Sequence, residues 1–287
     1  MYLLYIAPLI NILCGLAVIL GWFSGNTTLI QILPTFAPMQ FNTALGFVLI
    51  GLSLILCIKE KTNLYIPICI AVLIFNSLTL IQYLSDYNFK IDDLFFKHYI
   101  TTNTSHPGRM APNSSICFII ASLTLIIFNI LQKFNPNKLI YARLISILGL
   151  AAAFISFAGY IVKVPTSYGW GAYTQMAVHT SLGFIIWFLG FLYYFKFKTK
   201  KFISSASTTT SSIILLTSMC VFLYLSQALI KKEQEYILST QLNASQDITH
   251  NVKEKFRLTN EALIRMAYRL KAHSYTNMSS WEIDAEN

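Results

Sequence analysis

Two carboxamides and an imidazole hold the same place in three copies of one nine-residue pattern. Asn42, Asn113 and His179 are the fourth residues of Met39-Gln40-Phe41-Asn42-Thr43-Ala44-Leu45-Gly46-Phe47, Met110-Ala111-Pro112-Asn113-Ser114-Ser115-Ile116-Cys117-Phe118 and Met176-Ala177-Val178-His179-Thr180-Ser181-Leu182-Gly183-Phe184. A carboxamide both donates and accepts hydrogen bonds, and an imidazole changes charge near pH 6.5. Brought to one depth, the three groups could line a polar cavity that binds a small molecule. The candidate lining is Met39, Asn42, Thr43, Met110, Asn113, Ser114, Ser115, Met176, His179, Thr180 and Ser181, with Arg109 and Trp170 contributed by neighbouring loops. A packing role is the alternative, because small and hydroxyl residues let helices approach closely and bond across a membrane interface. On that alternative Asn, Ser and Thr cap the first turns of their helices, and His179 is a cap rather than a pH sensor.

Positioning such residues requires helices. Each copy opens an apolar stretch long enough to cross a membrane, and the copies lie 71 and 66 residues apart. That period is larger than one helix and smaller than a domain, so the unit is a pair of helices used three times. Seven stretches reach spanning length, about 20 residues for the ~30 Å hydrocarbon layer. They are residues 3–23, 39–58, 64–84, 111–131, 139–162, 177–195 and 206–230. Apolar residues make up 55% of the 287-residue chain and charged residues 11%, whereas about a quarter of a soluble domain is charged. The predicted fold is therefore all-α, an integral membrane bundle of seven transmembrane helices, three two-helix repeats plus one.

Lys and Arg fix an orientation. The connections after the second, fourth and sixth stretches hold Lys59, Lys61, Lys133, Lys138, Arg143, Lys196, Lys198, Lys200 and Lys201, nine basic residues. The longer alternate connections hold only Lys90, Lys97, Arg109 and Lys163. The positive-inside rule then puts the amino terminus in the cytoplasm and everything after Ile230 outside. The Lys-rich connection after the sixth stretch is expected to meet anionic membrane lipid.

Several chemistries find no residues. No Asp, Glu, Lys or Arg occupies the middle of a spanning stretch, which argues against proton relays and charge-coupled transport. The sequence has no paired membrane histidines for haem, no Gly-rich phosphate loop and no His-Glu-x-x-His. The five cysteines lie inside spanning stretches and read as packing residues. No catalytic, cofactor or metal residue is assigned, and no nucleic-acid partner is expected. Trp170, flanked by Gly169 and Gly171, reads as an interfacial anchor or as part of a lid.

No Gly or Pro occurs between Phe191 and Asn287. Beyond Ile230 the chain turns polar, and Leu238, Leu242, Ile248, Val252, Phe256, Leu263, Met266 and Leu270 recur at steps of mostly three and four. A long amphipathic extramembrane helix follows, whose stripe needs either a second copy of the chain or more of its own domain. The organisation expected is a membrane domain over residues 1–200, a seventh helix over 201–230 and an outward arm over 231–287.

The three motifs, with Ile91-Asp92-Asp93-Leu94 and His106-Pro107-Gly108-Arg109-Met110, resemble the multi-helix membrane region at the amino terminus of bacterial sensor histidine kinases, hybrid kinases and diguanylate cyclases. The arm, with Ala262-Leu263-Ile264-Arg265-Met266-Ala267 and Trp281-Glu282-Ile283-Asp284-Ala285-Glu286, resembles the start of a CHASE-type extracellular sensing domain. The resemblance implies a sensory input module in a bacterial inner membrane, with a periplasmic arm, a homodimeric state, an unnamed small-molecule or physical signal, and output modules outside this chain. A repeat-built transporter or channel and a passive membrane anchor are the other readings.

Overall fold

A computed structural model describes residues 2–85, 87–100, 102–162, 167–170, 173–199 and 205–272. The chain divides into two compact units, Met1–Leu223 and Tyr224–Asn287. The described residues form α1 (Leu3–Ser24), the single turn α2 (Thr27–Ile30), α3 (Phe41–Ile58), α4 (Thr62–Ser85), α5 (Pro112–Phe134), a 3₁₀ turn at Pro136–Lys138, α6 (Ile140–Val162), α7 (Val178–Lys198) and α8 (Ser205–Ala272), with no strand among them. Six helices, α1 and α3 to α7, are long and apolar enough to cross a membrane, which makes this a multi-pass membrane protein. The seventh expected span falls in α8, whose side chains from 205 to 229 lie outside the described residues.

Within the first unit the six helices form three pairs. The most extensive packing joins α1 to α3, α4 to α5 and α6 to α7. Next come α3 with α4, α5 with α6 and α7 with α1, so the third pair closes back on the first. The helices that begin with the motif also touch one another. They form the inner ring: 61%, 50% and 50% of the spanning windows of α3, α5 and α7 are buried, against 28%, 28% and 39% for α1, α4 and α6. The remaining surface is apolar because lipid, not water, is its solvent.

The repetition extends to the backbone. Gln40, Ala111 and Ala177 precede the three inner helices with φ, ψ of −65°, 151°; −59°, 146°; and −65°, 151°. Their carbonyls accept the first helical bonds, from the amides of Ala44, Ser115 and Ser181 at 3.0, 3.1 and 3.1 Å. None of the three caps through its side chain. Asn42, Asn113 and His179 are the second residues of their helices, and Asn42 and Asn113 bond other segments instead of capping their own first turns.

Several polar side chains within the spans turn back on their own helices. Asn11 donates to Ala7 O at 3.0 Å, Asn76 to Val72 O at 2.8 Å, Thr79 to Phe75 O at 3.1 Å and Thr124 to Ile120 O at 2.7 Å. Each satisfies a donor that lipid cannot.

Candidate functional site

Three relationships repeat around the bundle. In the first, an aromatic donor near the end of each outer helix bonds the carbonyl of the motif methionine. Trp22 Nε1 donates to Met39 O at 2.9 Å, Tyr83 Oη to Met110 O at 3.0 Å and Tyr160 Oη to Met176 O at 2.6 Å. All three methionines are buried. An extended residue before a helix has an unpaired carbonyl, and the ring of the partner helix supplies its donor.

In the second, the fourth motif residue reaches into the segment that precedes the next pair's motif. Asn42 Nδ2 donates to Asp92 O at 2.8 Å, with Ile91 O at 3.4 Å and Gly108 O at 3.5 Å beside it. Asn113 Nδ2 donates to Ser167 O at 3.3 Å, a carbonyl that Ser156 Oγ also bonds at 3.2 Å. His179 faces the Ile30 carbonyl, in the segment before the first motif, but neither ring nitrogen attains hydrogen-bonding geometry. The cycle runs from the first pair to the second, the second to the third, and the third back towards the first.

In the third, the motif phenylalanines meet. Phe47, Phe118 and Phe184 are each fully buried, with ring centroids 5.3 Å apart for Phe47–Phe118 and 4.7 Å apart for Phe47–Phe184 and Phe118–Phe184. The phenylalanine follows the amide or imidazole by five residues, a turn of about 140° on a helix with 3.6 residues per turn. With the phenylalanines at the centre, Asn42, Asn113 and His179 are directed to the joints between pairs. Below the triangle, Trp187 Nε1 donates to Ile50 O at 3.0 Å, and Phe128 packs on Phe191, Tyr194 and Phe195.

The joint between the first and second pairs carries the charge. Arg109 holds Asp92 Oδ2 from Nε at 2.9 Å and from its terminal NH2 at 2.8 Å, while Gln82 Nε2 donates to Asp92 Oδ1 at 2.9 Å. The Arg109 guanidinium also lies 5.2 Å from the centre of the Tyr83 ring. Asp92 and Arg109 are 8% and 3% exposed, so both charges are spent on each other and on their neighbours. Gly108 is required here: its φ is +78°, and a Cβ would lie 2.6 Å from Asp92 O.

Of the candidate lining, Asn42 and Arg109 come together at Asp92, while Asn113 and His179 serve other joints. Thr43, Ser114, Ser115, Thr180 and Ser181 are buried; Ser115 and Ser181 bond Ala111 O and Val178 O of their own chain segments. Trp170 is exposed. Sequence reasoning missed Trp22, Tyr83 and Tyr160, which precede their methionines by 17, 27 and 16 residues, and also missed Gln82 and His98, whereas Asp92 was singled out within Ile91-Asp92-Asp93-Leu94. Their signal was an aromatic with a polar atom near the motif end of every outer helix. No protein-family model, curated protein or solved structure matches the chain.

Proposed function

We propose that the chain is the membrane-embedded input module of a bacterial transmembrane signalling receptor. In this reading seven helices cross the inner membrane, the amino terminus is cytoplasmic, and residues 231–287 form a periplasmic arm. The observation that carries it is α8, 68 residues from Ser205 to Ala272, whose sequence passes from a spanning apolar run to a polar amphipathic one. A helix of that length and composition suits the transmission of a packing change from one compartment to another.

The arm supports a homodimer. Leu238, Leu242, Val252, Phe256, Leu263 and Met266 fall on one line with the three-four alternation and 3.5-residue period of a coiled coil, which Ser245, Thr249 and Thr259 complete as polar positions. Leu238, Leu242, Val252, Phe256 and Leu263 on that line are exposed in the single chain. Arg257 pairs with Glu254 at 2.7 Å and Glu261 at 2.8 Å on the opposite face, leaving the apolar line free for a partner. Two copies in one membrane present their arms in the same direction, so the seam would be parallel.

The aromatic triangle favours a receptor over a channel, because three buried rings fill the axis that a pore would follow. Signal reception would act at the joints between pairs, with the motif residues and their loop partners as the elements that shift. The reading frame downstream of codon 287 gives the test. Histidine kinase or diguanylate cyclase motifs there support the proposal, and a permease-like continuation overturns it.

A further inference from the structure

His98 lies in the segment between α4 and α5, its side chain fully buried. Its Nε2 lies 3.2 Å from the amide nitrogen of Phe41, the first residue of α3. An amide N–H can only donate, so Nε2 accepts and the ring's single proton sits on Nδ1. That proton points to Asp93 Oδ1 at 2.8 Å. The edge of the ring packs on Trp22 of α1 with centroids 4.7 Å apart, and Phe96 lies at 6.2 Å. The imidazole thus supplies the cap that Gln40 does not, from a segment belonging to the next helix pair. Pro112, at the equivalent place in α5, has no N–H to cap.

We propose that the His98–Phe41 bond is an acid-labile latch that holds the 87–100 segment against the start of α3. A second proton would sit on Nε2, facing the Phe41 N–H and the positive end of the α3 dipole, and the bond could not survive. The titratable groups around the ring are Asp93, which contacts it, and Asp92, whose charge is matched by Arg109; α1 and α3 present Trp22 and the Phe41 amide to it. Burial lowers the His98 pKa from its ordinary value and outweighs the opposing pull of Asp93. An opened segment returns the ring to water and to ordinary proton affinity, so acid favours opening. The sign is that of a group whose pKa is depressed when latched: latching is strongest above about pH 6.5 and weakens as the pH falls below it. The latch is independent of the receptor reading, since it concerns only how the first two helix pairs are joined.

Hydrogen exchange of the full chain in lipid nanodiscs, corrected for the intrinsic effect of pH, tests it directly. Protection of the Phe41 amide and of residues 87–100 should be constant above about pH 6.5 and fall by up to about tenfold per pH unit below it. His98→Gln keeps an acceptor that cannot titrate, so its protection should be flat between about pH 7.5 and about pH 5. Equal loss in His98→Gln, or no loss in the unaltered chain, would overturn the latch. Should His98→Gln fail to fold, Asp93→Asn decides: removing a carboxylate that favours the protonated latched ring must leave the onset near about pH 6.5 and extend the fall to lower pH, and a fall that levels off at the same pH as in the unaltered chain rejects the proposal.

Discussion

Gly46 leaves no room above Phe118: a Cβ on Gly46 would lie 2.6 Å from Cζ of that ring. Gly183 stands in the same relation to Phe47, at 2.8 Å, so the motif's eighth residue makes space for the ninth residue of another copy. The rings cannot retreat, because each is wedged between the other two. Gly46→Val should therefore lower stability by about 1–3 kcal/mol, the range for overpacking a filled core. Thermal unfolding in detergent, read on the purified protein, checks this. An unchanged midpoint would mean that the triangle is looser than its spacing implies.

Arg109 and Asp92 give a sharper contrast. Arg109→Met leaves a buried carboxylate with only Gln82 to hold it and should cost about 3–5 kcal/mol. The double variant Arg109→Met, Asp92→Asn removes both charges and should recover most of that loss. Denaturant midpoints for the two proteins decide the matter. A double variant as damaged as the single one would show that the pair's geometry, not its charge balance, holds the 87–100 segment.

Tyr83→Phe and Tyr160→Phe each delete one hydroxyl and leave a buried methionine carbonyl without its donor. Each should cost about 1–3 kcal/mol, with the loss of protection centred on Met110 in one case and Met176 in the other. Exchange that loosens uniformly over the bundle, instead of locally, would show that these bonds are not separate fasteners.

Much of this architecture is legible in the sequence. Apolar run lengths located the six helices to within a few residues, because lipid demands continuous apolar helix and leaves few alternatives. The threefold motif announced the pairing. Its internal division of labour was not legible. Asn42, Asn113 and His179 looked convergent because equal position suggests equal proximity, yet the phenylalanines five residues on occupy the centre and turn the polar groups outward. Trp22, Tyr83 and Tyr160 carry no common spacing to their methionines, since the intervening segments differ in length. His98 was invisible because its partner is a backbone amide, which leaves no mark in sequence.

The arm makes a separate prediction. Single cysteines at 242 and 252, on the apolar line, should cross-link efficiently between copies of the chain in membranes, and a cysteine at 246, off that line, should not. Equal cross-linking from all three would reject an ordered seam. Arg257→Ala should leave the pattern intact, since exposed ion pairs contribute little.

The pairing of α1 with α7 means that the bundle has ends in sequence but none in space. Gly190 approaches Ala7 so closely that an added Cβ would lie 2.4 Å from the Ala7 Cβ, and Asn11 Oδ1 lies 3.3 Å from the corresponding position on Gly183. The first and last helices of the ring therefore run side by side in opposite directions, which brings Leu3 and Lys198 to the same edge of the bundle. A polypeptide that linked those two residues and was opened instead at the Lys59–Lys61 turn would trace the same circle from a different starting point. The folded ring is therefore expected not to require the order in which the chain supplies its three pairs. Folding of such a rearranged chain, seen as cooperative unfolding with the original hydrogen-exchange pattern, is the measurable consequence.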